Sequence, residues 1–134
     1  MIVGIELRRR LKAYIAEASA RPFRWGVDDC SSWVLGWIEQ ERDIKIDAPA
    51  YRSESGAREI IKRAGDLADV WSAIAERYHI QETISPSYGD VGVMQTRQSG
   101  QVGFIMADTD VCLWRAETGV LGIRPRTIVK AWSI

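Results

Sequence analysis

Helical periodicity through the first half of the chain and short β-rich runs through the second half predict an α+β fold. N-terminal helices are expected to pack on a C-terminal antiparallel sheet of about five strands. The chain has 134 residues, 46% of them hydrophobic and 27% charged. That is enough to bury a core without disulfides or metals, and it predicts a single domain over residues 1–134.

The elements follow in order. From Ile5 to Ala18, the residues Leu11, Tyr14, Ile15 and Ala18 recur at helical spacing, with Arg8, Arg9 and Arg10 on the remaining surface. Pro22 and Gly26 then interrupt the pattern. Asp28 and Asp29 are good N-cap residues for a helix whose stripe is Cys30, Trp33, Val34, Trp37 and Ile38. Residues Asp43 to Tyr51, with Pro49 among them, read as a loop. Ser53 and Ser55 suit the start of a short helix through Ile60 and Ile61 to Gly65. A fourth helix carries Leu67, Val70, Trp71, Ile74 and Tyr78 on one face. Beyond Ser85-Pro86-Ser87 the runs Val91–Gln95, Val102–Ala107, Val111–Arg115, Val120–Ile123 and Thr127–Trp132 predict a meander of strands.

Composition excludes several function classes. The 18 basic and 18 acidic residues cancel, so no general field attracts nucleic acid or an anionic membrane. A zero balance also suits residence in an assembly. Only Cys30 and Cys112 occur, which is no disulfide framework, and His79 is the only histidine. No metal site and no cofactor are expected. The arginines follow rather than precede the first apolar residues, the reverse of a signal peptide, and no apolar run reaches spanning length. Synthesis in a cytoplasm without membrane insertion is the expectation.

Cys30 is the candidate nucleophile. A thiol in the first turn of a helix meets free N–H groups and the positive end of the dipole, which favour the thiolate. Asp28 and Asp29 oppose this by repelling a second negative charge. As one member of an apolar stripe, Cys30 also reads as core filler, and a first-turn position faces either the core or a groove.

Phe23-Arg24-Trp25-Gly26 followed by Asp29-Cys30-Ser31-Ser32 resembles the signature of the NlpC/P60 cysteine peptidases, an aromatic-x-aromatic-Gly turn ahead of Asp-Cys-Ser. Tyr88-Gly89-Asp90-Val91 is similar to that family's Gly-Asp at its first sheet strand. Gln101-Val102-Gly103-Phe104-Ile105 is similar to its His-Val-Gly-Ile strand. Gly119-Val120 and Ala131-Trp132-Ser133-Ile134 resemble its last two strands. The Trp-Gly-x-x-Asp-Cys opening and Ala-Trp-x-Ile ending most resemble small proteins of bacteriophage and prophage tail-gene clusters. The resemblance implies a papain-like fold with the Cys30 helix against the sheet.

One position departs from that pattern. Where the resemblance implies a histidine that takes the thiol proton, this chain has Gln101, whose carboxamide does not titrate near neutrality. Losing such help costs about 100- to 10,000-fold in rate. The next strand, Leu113-Trp114-Arg115, supplies nothing to orient an imidazole. Gln101 is expected to hydrogen-bond near Cys30, and a glutamine serves as an oxyanion donor only beside a base. His79, at the end of the fourth helix, reads as a dipole-stabilised terminal residue.

Of six tryptophans, Trp33, Trp37 and Trp71 read as core, whereas Trp25, Trp114 and Trp132 are candidate interface aromatics. Cys112 reads as inert filler, and Arg8 to Arg10 with Lys12 as a solvated face. Two functions follow as expectations. The first is a tail-tip or baseplate assembly protein of a phage virion with a degenerate NlpC/P60 fold, made in the host cytoplasm and partnered by other tail proteins. The alternative is an active peptidase or amidase that cuts host peptidoglycan peptides as DNA enters the cell, with the base drawn from His79 or a partner.

Overall fold

In a computed structural model, which describes residues 2–108 and 110–134, four helices precede a six-stranded antiparallel sheet. The helices are α1 (Ile2–Ser19), α2 (Cys30–Arg42), α3 (Glu54–Ala64) and α4 (Leu67–Arg77). The strands are β1 (Glu82–Thr83), β2 (Val91–Gln95), β3 (Gln101–Met106), β4 (Cys112–Ala116), β5 (Gly119–Ile123) and β6 (Thr127–Trp132). The predicted α+β class holds. Among the described residues no helix is long and apolar enough to cross a membrane.

Capping fixes where three of the helices begin. Asp29 and Asp66 each form a capping box with the residue three positions on, Ser32 and Asp69, while the Ser53 hydroxyl accepts from Gly56. The apolar stripes then meet in one core, in which Leu11, Ala18, Trp33, Val34, Trp37, Trp71, Val91, Val93 and Ile105 are buried. The three tryptophans read as core are therefore in it. Tyr14 stacks on Trp33, and the Trp37 indole donates to the Gly89 carbonyl at 2.8 Å. The arginines of α1 stay at the surface and pair with carboxylates: Arg8 with Asp108, Arg9 with Glu6 and Arg10 with Glu41.

The sheet order is β1-β6-β2-β3-β4-β5, which corrects the expected meander. Strands β2 to β5 do meander, but β6 leaves β5 and pairs with β2. A flat sheet would put β5 and β6 four inter-strand spacings apart, about 19 Å. The link from Ile123 to Thr127 is four Cα steps and reaches at most about 14 Å. The sheet is therefore curled. Curling explains the second buried cluster, Met94, Val102, Phe104, Met106, Cys112 and Ala131, which alternates with the first along the strands. Cys112 is filler there, as expected. The additional strand, β1, is two residues long and pairs with the end of β6, too short to leave a period in the sequence.

Candidate functional site: a groove over Cys30

The segment ahead of α2 folds back on itself, with Arg24 and Asp28 exchanging backbone hydrogen bonds. Gly26 closes the turn at a φ of +78°, and a Cβ there would lie 1.8 Å from the Tyr51 carbonyl oxygen. No side chain fits, so the turn seats directly on the 43–51 loop.

Asp29 locks this arrangement. It is 1% exposed, and its carboxylate accepts from the N–H groups of Gly26 (2.8 Å), Ser31 (3.0 Å) and Ser32 (2.9 Å) and from the Ser32 hydroxyl (3.0 Å). The Tyr51 hydroxyl donates to it as well, and burial together with that bond holds the phenol neutral. Asp28, the other predicted cap, has a different role. Its carboxylate pairs with Arg21 at 2.7 Å and with Arg115 at 3.5 Å. Arg115 is 1% exposed, and its guanidinium also donates to the carbonyls of Ala116 and Arg21. A buried cation on β4 thus ties the strand to the turn before α2.

Cys30 opens α2 against β3. It is half-buried, and Gly103 makes room for it: a Cβ at Gly103 would stand 3.4 Å from the Cys30 carbonyl and 2.8 Å from the Trp71 ring. The N–H groups of Gly103 and Ser31 and the Ser31 hydroxyl all donate toward Sγ. Burial outweighs them and pushes the thiol up from its ordinary value, with Asp29 adding to the rise. Cys30 is therefore a neutral thiol near neutral pH, with the repulsion foreseen from the aspartates as a lesser contributor.

A groove of ≈ 550 Å³ lies over this thiol. It brings together Trp25, Asp29, Cys30, Gln101 and Trp114, all predicted site residues, along with Phe23, Tyr51 and Arg115. Phe23 and Trp25 meet edge to face at 5.1 Å. Residues of α3, among them Ala57, Arg58 and Ile61, form the opposite wall.

Two expectations, those for Trp132 and Gln101, are corrected, while His79 stands at the end of α4 as expected. Trp132 does not reach a surface. It is 3% exposed and packs on Trp71 with ring centroids 6.1 Å apart, because its place on β6 faces the helices. Gln101 does not serve Cys30. Its Oε1 accepts from the Ala68 N–H at 3.2 Å and its Nε2 donates to the Asp66 carboxylate at 3.2 Å, so the carboxamide caps α4. His79 does not approach the groove. It is exposed, with a φ of 57°, beyond the last turn of α4, whereas Gln101 holds the first turn. About 16 Å of helix separates the two ends.

Tyr51 and Arg115 were missed as site residues. Tyr51 lies in a loop without periodicity and reaches Asp29 only through the Gly26 turn. Arg115 carries a charge into a buried strand position, and its partner Asp28 lies 87 residues away.

The family described as domain of unknown function (DUF6950) matches residues 6–134, and the chain belongs to that family. No curated protein matches the sequence.

Proposed function

We propose that this protein is a tail-tip or baseplate assembly protein of a phage or prophage, with a degenerate papain-like NlpC/P60 fold that binds through its groove and does not hydrolyse. Gln101 carries this reading. The side chain placed where a general base is required is a non-titrating carboxamide committed to the first turn of α4. The raised thiol of Cys30 and the distance of His79 point the same way, since neither supplies a thiolate in the groove. Groove aromatics that are only partly covered, Trp25 and Trp114, suit contacts with neighbouring tail proteins.

The test is digestion of purified peptidoglycan by the wild-type protein beside Cys30→Ala, at matched high concentration, with released muropeptides followed by mass spectrometry. No release by either protein is the expected result. Release that disappears with Cys30→Ala overturns the assembly reading in favour of a peptidase. Immunogold labelling of purified virions tests location, and its absence from the tail tip overturns that part.

A further inference from the structure

We propose that the outer edge of β5 is a self-association surface, on which a second copy of this chain adds its own β5, antiparallel, about a two-fold axis at Leu121. The pairing needs nothing from the chemistry at Cys30, so it goes beyond the assembly reading and does not rest on it.

In an antiparallel ladder, successive residues turn their N–H and C=O groups to opposite neighbours, and this alternation identifies the free groups of β5. Ala107 donates to the Val111 carbonyl, so Leu113 and Arg115 also turn their backbone groups toward β3. Cys112, Trp114 and Ala116 turn theirs toward β5, where Ile123, Leu121 and Gly119 face them. That leaves Val120 and Gly122 with N–H and C=O groups pointing away from the sheet. β5 is the last strand, and among the described residues no other backbone or side chain bonds to either. Gly122 is exposed and has no side chain, so what it exposes is backbone. Leu121, between the two, is 42% exposed. Sheet edges are commonly blunted by a charge, a proline or a covering strand. The far edge of this sheet is blunted: β1 pairs with the end of β6, and Lys130 lies within that strand. The run Gly119-Val120-Leu121-Gly122-Ile123 has none of these devices.

The charges at the ends of the strand name the occupant. Glu117 precedes β5, and Arg124 and Arg126 follow it. All three are exposed, and none forms an ion pair among the described residues. A strand acidic at one end and basic at the other is complementary to itself when reversed. With the axis at Leu121, Val120 of each copy exchanges both backbone bonds with Gly122 of the other. Leu121 meets its own counterpart at the non-hydrogen-bonded position, where facing side chains stand closest. Glu117 of each copy comes beside Arg124 and Arg126 of the other. Thr118 lies opposite Arg124 of the second copy in this register, and both Glu117 and Thr118 line the groove. Each copy thus sets its arginines at the β4–β5 end of the other's groove. The zero net charge opposes nothing in this pairing. Pro125 has no N–H to give and ends the ladder there, so the interface is small and the dimer weak.

The test is sedimentation velocity of the full chain over about a hundredfold range of concentration reaching millimolar, as a small interface requires. A reversible monomer–dimer equilibrium that salt weakens is the expected result. Leu121→Lys should abolish it by setting two cations face to face, with the far-UV circular dichroism unchanged. Glu117→Arg and Arg124→Glu should each weaken dimerisation about tenfold, because the axis reverses two contacts at once, and the two together should restore it. These charge variants lie outside the strand and test the same register even if Leu121→Lys fails to fold. Amide hydrogen exchange reads the register directly. Val120 and Gly122 should gain protection as concentration rises, while β4 protects Leu121 and Ile123 throughout. A chain that stays monomeric over the whole range overturns the proposal. A dimer that survives a folded Leu121→Lys, or that forms without protecting Val120 and Gly122, uses another surface and overturns it as well.

Discussion

Replacing Gln101 separates a capping role from a catalytic one. In Gln101→Ala, the Ala68 N–H loses its acceptor inside a residue that is almost wholly buried. An unpaired buried donor costs about 1–2 kcal/mol, and loss of the bond to half-buried Asp66 adds to that. Gln101→Glu keeps an acceptor for Ala68 but sets a carboxylate where the amide now donates to Asp66, 3.2 Å away. Asp66 sits below the usual carboxylate range because of the Asp69 N–H first, and then Gln101, the Asp69 side chain and Lys130. A lowered folded value contributes stability that is present above the unfolded pKa and fades as pH falls through the folded one. In Gln101→Glu the sign reverses, because paired carboxylates raise the folded value and the penalty grows as pH rises. Urea unfolding followed by tryptophan fluorescence should therefore show Gln101→Glu below Gln101→Ala at pH 7, with the gap narrowing at pH 4. If both variants match the wild type at pH 7, the carboxamide does not cap α4 and the argument from Gln101 fails.

Three further outcomes are expected. Asp29→Ala strips an acceptor from four donors in a buried turn, so a loss of about 3 kcal/mol or more should appear in the same urea assay; a loss below about 1 kcal/mol would show that the turn stands without it. Cys30 should alkylate with iodoacetamide more slowly than free cysteine at pH 7, at a rate still climbing through pH 9, read by peptide mass spectrometry to separate it from buried Cys112; a plateau near neutrality would reveal an activated thiolate. Trp132→Ala should cost about 3–5 kcal/mol by urea unfolding, as a core truncation does, whereas an effect under about 1 kcal/mol would return Trp132 to a surface role.

Local chemistry was legible in the sequence, and distant partnership was not. The Trp33, Val34, Trp37 and Ile38 stripe gave α2, and β2 and β6 have the bounds their β-branched runs predict. Cys30, Trp25, Trp114 and Gln101 were singled out from short motifs, and they do border one groove. The place of β6 beside β2 depends on curling of the whole sheet, which no window of residues reports. Trp132 looked unconstrained for the same reason, since Trp71 meets it across the core from another element. Gln101 was read against Cys30 because a motif links those positions, while its actual partners belong to α4 and carry no motif.

The turn before α2 also shows that the Asp-Cys-Ser segment has structural roles of its own that call for no chemistry at Cys30. Asp29 satisfies the first turn of α2 and the Gly26 N–H at once, and the Ser32 hydroxyl oxygen in turn accepts from the Asp29 N–H. Asp28 neutralises the buried Arg115 while holding Arg21. Each of these roles is complete with a neutral Cys30 and with no proton acceptor beside it. Position 101 takes no part in this turn, whose carboxylate hydrogen bonds run among Gly26, Asp29, Ser31 and Ser32. The proposed assembly reading needs no more of the groove than its shape, and that shape is held by contacts that are complete without a base.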